Sequence, residues 1–478
     1  MAEENEATHG TRMSMERVAI LGRAPVPRNR QKLAQRPRSR LDFGQGARGS
    51  MRARDKQQDE SAGRAAQPQR ALDCDVCIVG ATLAGLATAL SLALRGRSVV
   101  VLEAGTIGPY RGSGLVRAGF GRSAAELCAA GGRDDVRAIY DLSAAGARSA
   151  RRLMAVLDIP ADARGLILLP GPNGRRDLLD EAAARDLLGL DELQRLSPEN
   201  LRADLALGAP FGALLDRQPQ AFAAADVPLR LAAAARAADV RIMERTRILG
   251  TDLDGVRKHV ETMHGRIRAD HVVLTTDRGV PTFAPWIGRA LIDCPFVSGG
   301  FSSGTIRARA GETVVELGQR GALFSWQGST LRFTAPTASF IRRGPAAACA
   351  LRRHARRFYP ELRGALADDA HGVATRTSRH RLPLLGSYRP GVWYGIGLGA
   401  EPLSDASLVA DMIGDAIVER DDSIRRFAPF GPLPAFGWVG RVVRRAAYWA
   451  GRVSDASARA EALRELPASP AAADEKHA

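Results

Sequence analysis

Val76-Cys-Ile-Val-Gly80-Ala-Thr82-Leu-Ala-Gly85, an Ala- and Leu-rich stretch to Leu94, a turn at Gly96, and Val99-Val-Val-Leu-Glu103 together decide the fold of this 478-residue chain. The first and last segments are short apolar runs rich in β-branched residues, as buried strands are. Gly80 allows a tight turn out of the first strand. The helix beginning near Leu83 then points free N–H groups and a positive dipole end at a bound pyrophosphate. Gly85 lets helix and strand pack closely. Glu103, 18 residues beyond Gly85, ends the second strand, where a carboxylate can accept from both ribose hydroxyls of an adenosine. Thr82 occupies the position of the pattern's middle glycine, and its side chain either adds a hydroxyl contact or crowds the phosphate. The unit as a whole predicts an α/β fold built around a Rossmann-like dinucleotide-binding domain.

Working outward, the run from Cys77 to Leu94 is uncharged over 18 residues, the length at which a membrane span becomes a candidate. Gly80 and Gly85 interrupt it, and Arg95-Gly96-Arg97 turns it into a second apolar strand, so a strand–helix–strand unit accounts for it better. No secretory leader pattern stands near Met1. Five cysteines at scattered positions (Cys74, Cys77, Cys128, Cys294, Cys349) make no disulfide framework, and a reducing, cytoplasmic setting is expected. Cys74 and Cys77 form a CxxC pair with no second pair at metal spacing. They read as core, and no metal is expected.

The formal charge is +16, and thirteen Lys or Arg against three acids fall between Thr11 and Gln57. Residues 1–72 hold too little apolar surface to fold alone and read as a disordered basic tail. Such a tail is either an arm for nucleic acid or anionic lipid, or a solvated extension ahead of a start at Met51; the second reading is preferred. Past Glu103, helical texture runs over 124–157 and 175–196, β-branched segments occupy 240–276, and a second β-rich region spans 295–340. A helix over 346–358 precedes a closing segment with a helix over 405–417. This order predicts a discontinuous nucleotide-binding domain (73–125, 225–290, 370–425), an interleaved α+β substrate domain (126–224, 291–369), and a C-terminal amphipathic helix and tail (426–478).

From about Asp73 to Asp455 the chain resembles the FAD-dependent amino-acid and amine oxidoreductases of the D-amino-acid oxidase and glycine oxidase type. Nearest in look are the γ-glutamylputrescine-oxidase-like bacterial proteins. Besides the opening fingerprint, Ile107-Gly-Pro-Tyr-Arg-Gly-Ser113-Gly114 is similar to the family's loop at pyrophosphate and flavin, and Gly265 to Thr276 to its returning strands. Ser378-Arg-His-Arg-Leu-Pro383-Leu-Leu-Gly386 with Gly397-Leu-Gly399-Ala-Glu-Pro402 is similar to its closing flavin motif. The resemblance implies FAD in a GR2-type Rossmann-like domain. It places Gly80, Thr82, Leu83, Ala84, Gly85, Glu103, Ala104, Ser113, Gly114, Gly397, Gly399 and Leu403 at the cofactor. The implied reaction is two-electron oxidation of an amine or amino-acid C–N bond to an imine. Four positions depart from the pattern: Thr82; Ser113-Gly114-Leu-Val-Arg in place of Ser-Gly-Arg-Asn-Gly; His380 in place of an acid; and Pro402, which has no N–H, in place of a glycine. These departures motivate the alternative of a flavoprotein-fold partner subunit with weakened or lost catalysis. An RNA-directed flavoenzyme is the third reading, since the closing motif also occurs in the oxidase domain of a bifunctional tRNA-modifying enzyme.

No catalytic triad is visible, and none is needed where a neutral amine delivers hydride directly to flavin. Arg376, Arg379 and His380 precede the flavin turn and are the candidates for holding a substrate carboxylate; a solvated charge cluster is the plain alternative. His271 reads as structural, and Phe324 and Trp326 as core. After Phe436, Val439, Val442, Val443, Ala446 and Trp449 fall at helical spacing among Arg441, Arg444, Arg445 and Arg452. That basic amphipathic helix is expected to dock on the chain's own body or on a partner subunit, whether a second copy in a homo-oligomer or another chain, rather than on a membrane.

Overall fold

The structure, a computed structural model, describes residues 71–277, 284–302, 312–327, 330–341, 343–435 and 437–466. Residues 1–70 of the predicted tail lie outside them. The strands in chain order are β1 (Leu72–Val79), β2 (Val99–Leu102), β3 (Leu115–Val116), β4 (Ala161–Leu169), β5 (Gln194–Leu196), β6 (Ala213–Phe222), β7 (Arg241–Met243), β8 (Ile248–Asp252), β9 (Lys258–Thr262), β10 (Gly265–Leu274), β11 (Leu291–Ser302), β12 (Thr313–Glu316), β13 (Leu323–Gln327), β14 (Thr330–Pro336), β15 (Asp368–Ser378), β16 (Leu384–Arg389) and β17 (Val392–Ile396). Five helices concern the site: α1 (Leu83–Leu94), α2 (Arg133–Val156), α3 (Val227–Ala237), α4 (Pro402–Val418) and α5 (Gly437–Arg464).

The predicted fingerprint folds as β1–α1–β2, with β1 and β2 parallel. Val76 and Ile78 of β1 enter the cluster formed with α1, while Cys77 and Val79 enter the cluster on the opposite face, because successive side chains of a strand alternate. Both faces are covered, which is why the second half of β1, Val76–Val79, reads as uninterrupted apolar sequence. The sheet order is β16-β17-β10-β1-β2-β7, with the β8–β9 hairpin attached to β10. Strands β17, β10, β1, β2 and β7 run parallel. The chain leaves β1 toward β2 on one side and returns as β10 on the other. The carboxyl ends of β1 and β10 are therefore the switch point where a crevice opens.

The second sheet has the order β15-β11-β14-β13-β12-β4-β6-β3. Phe324 and Trp326 are buried in its core, and the Trp326 indole donates to the Tyr359 hydroxyl at 3.2 Å. Cys74 and Cys77 are buried in β1 as free thiols; burial pushes Cys74 up to about 12 and Cys77 well above the usual thiol range. They have the character of core.

The sheets divide the chain differently from the composition-based boundaries. Helix α2, assigned above to the inserted domain (126–224), buries Ala147, Ala150, Leu153 and Met154 in the cluster shared by α1 and α4. Gly146 permits that approach, since a Cβ there would stand 2.7 Å from the Ser404 carbonyl and 2.8 Å from Leu408 Cβ. Conversely, β3 lies within 73–125 yet pairs with β6, and β15 lies mostly within 370–425 yet pairs with β11. The nucleotide sheet resumes only at Leu384. An apolar stripe requires burial without naming the surface that will cover it. The helical run predicted to reach Leu196 likewise stops at Leu187, and Gln194–Leu196 becomes an edge strand on β6.

Candidate functional site

A cavity of about 1160 Å³ opens at the switch point. It runs from Thr82, Leu83, Ala84 and Glu103 past the loop Thr106–Arg111 and the end of β10 to Gly399, Pro402 and the β11/β15 residues Asp293 and Arg376. Its far rim is made by α5, through Arg441, Val442, Arg444 and Arg445.

At the first end, Gly80 has φ +105°, and a Cβ there would meet Thr276 Cβ at 2.8 Å. A Cβ on Gly85 would overlap the Gly80 carbonyl oxygen. Both glycines thus shape the turn from behind rather than lining the cavity. Thr82 is the N-cap of α1: its hydroxyl accepts from the Gly85 N–H at 3.1 Å and donates to the Thr275 carbonyl at 3.0 Å. The hydroxyl caps the helix, and the side chain stands in the cavity wall. Leu83 and Ala84 line the cavity in the first turn, where helix N–H groups have no carbonyl to reach, and no acid stands in that turn. Glu103 is fixed by two backbone donors, Ala81 N–H at 2.9 Å and Gly105 N–H at 2.8 Å. Each carboxylate oxygen keeps a lone pair for a further donor. Ala104 does not line the cavity.

Farther along, the loop after β2 is held by Ile107 N–H to the Glu244 carboxylate at 2.5 Å and by Tyr110 N–H to the Ala225 carbonyl at 2.8 Å. Its residues Thr106 to Arg111 face the cavity. Ser113 and Gly114 do not: the Ser113 hydroxyl accepts from Leu115 N–H at 3.0 Å and the Gly114 carbonyl accepts from Phe222 N–H at 3.0 Å. The cavity wall here is formed by the residues before them, because the pairing of β3 with β6 draws Ser113 and Gly114 onto the second sheet. The end of β10 joins two turns. The Thr275 hydroxyl donates to the Gly80 carbonyl at 2.9 Å, and the Asp277 carboxylate accepts from Gly397 N–H at 2.9 Å. Gly397 is therefore engaged within the chain, Gly399 faces the cavity, and Leu403 is buried behind it.

Pro402 is the first residue of α4, a position that needs no N–H, so this departure costs the helix nothing. Glu401 before it makes a two-pronged ion pair with Arg117, at 2.7 and 3.0 Å, with side chains 15% and 9% exposed. Burial works against the Arg117 charge, but the Glu401 carboxylate outweighs it and holds the guanidinium above its usual value. Arg117 ends the altered serine-glycine loop, so that departure and Glu401 form one unit. In the same turn of α4, burial drives the Asp405 carboxyl well above the usual range, with Glu401 adding to the effect and Arg117 opposing it.

Of the predicted substrate-binding residues, only Arg376 reaches the cavity, and it is engaged: it donates to Asp293 at 2.8 Å and to the Asp277 carbonyl at 2.8 Å. Arg379 is exposed outside the cavity, and His380 packs edge-on to Phe430 with ring centroids 6.0 Å apart. Both sit on the turn after β15, facing away from the crevice. His271 accepts from the Trp393 indole at 3.3 Å, and burial lowers its pKa. The arginines of α5 were visible in the sequence, but not their destination. Arg320 to Asp455, at 2.6 and 2.7 Å, and Arg459 to Glu316, at 2.7 Å, fix α5 across the second sheet. Among the described residues no His, Cys, Asp and Glu cluster could hold a metal, and no helix is long and apolar enough to cross a membrane.

A sequence model of the FAD-dependent oxidoreductase family (DAO) matches residues 75–416, from β1 to the last turn of α4. The chain belongs to this family. It is an oxidoreductase, and its cofactor is FAD. γ-Glutamylputrescine oxidoreductase of Escherichia coli K12 is 30% identical over 150 residues, a match that spans 30% of this chain and 35% of that protein. Glycine oxidase from Geobacillus kaustophilus superposes with a TM-score of 0.61 at 20% identity, covering 76% of this chain and 99% of that one. L-proline dehydrogenase from P. horikoshii gives 0.62 at 14% identity, covering 76% and 98%. At such identities the two structures speak for the fold.

Proposed function

We propose that this flavoprotein removes two electrons from the C–N bond of a small amine or amino acid, giving an imine that hydrolyses, and passes the electrons to oxygen or another acceptor. One observation carries the reading: a single cavity is continuous from the adenosine-type turn to the antiparallel strands β11 and β15. The residues around it fit FAD. Glu103 would take the ribose, the N–H groups of Leu83 and Ala84 the pyrophosphate, and Gly399 with the start of α4 the ring system. When bound, FAD supplies the electron-pair acceptor. A cytoplasmic setting belongs to the proposal and is supported by the free cysteines.

The chain's own side chains would position the substrate. Arg376 shapes the wall, since its guanidinium is engaged by Asp293 and Asp277. Arg441 and Arg445 line the same cavity and pair with no acid among the described residues. They are the cations placed to orient a substrate carboxylate. The test is the visible spectrum of the FAD-reconstituted protein, titrated anaerobically with glycine, proline, putrescine and other amines and amino acids. Bleaching by a member of this panel supports the proposal. A protein that takes up no FAD, or whose flavin no amine or amino acid reduces, would sink it.

A further inference from the structure

Helix α5 lies wholly beyond the family match, which ends at residue 416, and its two faces are used unequally. One face is fastened to the second sheet: Arg444 donates to the Ala338 carbonyl at 3.1 Å, the Tyr448 hydroxyl to the Pro336 carbonyl at 3.1 Å, and Asp455 and Arg459 make the ion pairs with Arg320 and Glu316. The opposite face carries Val439, Val442, Val443, Trp449 and Val453, exposed by 43, 58, 60, 50 and 69%. At about 100° per residue these five share one stripe, turned away from the docked residues. Large apolar side chains so exposed on one helix face mark an interaction surface.

We propose that this stripe seats the protein on an anionic lipid surface, with α5 lying in the plane of the interface. Charge decides the occupant. From Gly437 to Ser454 the helix has four arginines, Arg441, Arg444, Arg445 and Arg452, and no acid. Asp455, the first acid, is consumed by Arg320. An apolar stripe beside a cationic flank, with a tryptophan in it, is the composition that anionic headgroups attract and the acyl boundary accepts. Arg452 lies 5.9 Å from the Trp449 ring centroid, keeping the cation beside the stripe. A second copy pressed on the same stripe would instead bring arginine flank to arginine flank along Gly437–Ser454, a stretch that holds no carboxylate. Val442 and the half-exposed Phe340 also line the cavity, so its rim faces the lipid. The inference does not depend on which substrate is oxidised.

The test is sedimentation of the full-length protein with sucrose-loaded vesicles of phosphatidylcholine alone or with about one third phosphatidylglycerol. Binding is expected only to the anionic vesicles and should weaken as salt is raised. Trp449→Ser/Val453→Ser should lower the partition coefficient at least tenfold, and Arg452→Gln, beside Trp449, about fivefold at low salt. Val453→Ser alone serves if the double variant does not fold, which circular dichroism reports. Anionic-vesicle binding that the stripe variants leave unchanged would assign it to the basic N-terminal residues and overturn the proposal. A native mass that falls from dimer to monomer in the stripe variants would assign the face to a second copy and overturn it equally. So would an absence of vesicle binding.

Discussion

Replacing Arg117 by Met removes one half of the ion pair that joins the altered loop to the start of α4. Both groups are largely withdrawn from water, at 9% and 15% exposure, so the attraction is little screened. With an effective dielectric of about 20, two unit charges about 4 Å apart attract by about 4 kcal/mol, and desolvation offsets much of this. The loss of one partner nevertheless strands the other, at a typical cost of about 3–5 kcal/mol. Arg117→Met should fall in that range, because Glu401 would be left beside the buried Asp405. Glu401→Gln should cost less, because Arg117 keeps the field of Glu126 and Glu181. Arg117→Met/Glu401→Met removes both charges and should return to within about 1–2 kcal/mol of the parent. Urea denaturation at saturating FAD measures all four proteins as a double-mutant cycle. If Arg117→Met costs less than about 1 kcal/mol, or the double variant loses the sum of the single losses, the pair is not the fastening inferred here.

Gly85→Ala forces a Cβ onto the Gly80 carbonyl oxygen; overpacking against backbone costs about 1–3 kcal/mol and displaces the turn. FAD affinity, read by flavin fluorescence quenching, should fall at least tenfold. Glu103→Gln puts an amide donor against the half-buried Ala81 N–H or the exposed Gly105 N–H; losing a hydrogen bond to a charged group, worth about 1.5–3 kcal/mol, corresponds to a loss of FAD affinity of about ten- to 150-fold, measured by the same titration. Burial, reinforced by Arg357, Arg452 and Arg353, pushes His354 down to about 3. The unfolded chain then binds a proton near pH 6.5 that the folded chain refuses, so stability is complete above that value and falls with pH toward 3. At pH 5 the loss is about 2 kcal/mol, and His354→Gln should flatten the pH dependence of the urea midpoint over this window.

How much of the site was legible varied with the distance over which each feature is set. Gly80, Gly85, Thr82 and Glu103 act within one turn and one strand of each other. Their pattern therefore announced the crevice, although the hydroxyl's role needed Thr275, 193 residues away. Ser113 and Gly114 stand at the cofactor only by the likeness of their loop to the family's. The pairing of β3 with β6 turned them away, and no residue in the loop specifies that pairing. Arg376, Arg379 and His380 looked equivalent as a charge cluster. Arg376 lies within β15 and lines the cavity, where Asp293 of β11 engages it, whereas Arg379 and His380 lie in the turn beyond the strand.

The amino-acid order by itself determined β1–α1–β2, the acid at its end and the amphipathic character of α5, because turn chemistry, capping and periodicity are properties of neighbouring residues. Tertiary structure alone decided that α2 joins the nucleotide half, that Arg117 meets Glu401 across 284 positions, and that α5 brings arginines to the cavity rim while leaving its valines and Trp449 in the open. Those outcomes depend on which surfaces bury one another. An apolar stripe or an unpaired charge creates the need for a partner, and only the packed chain supplies it.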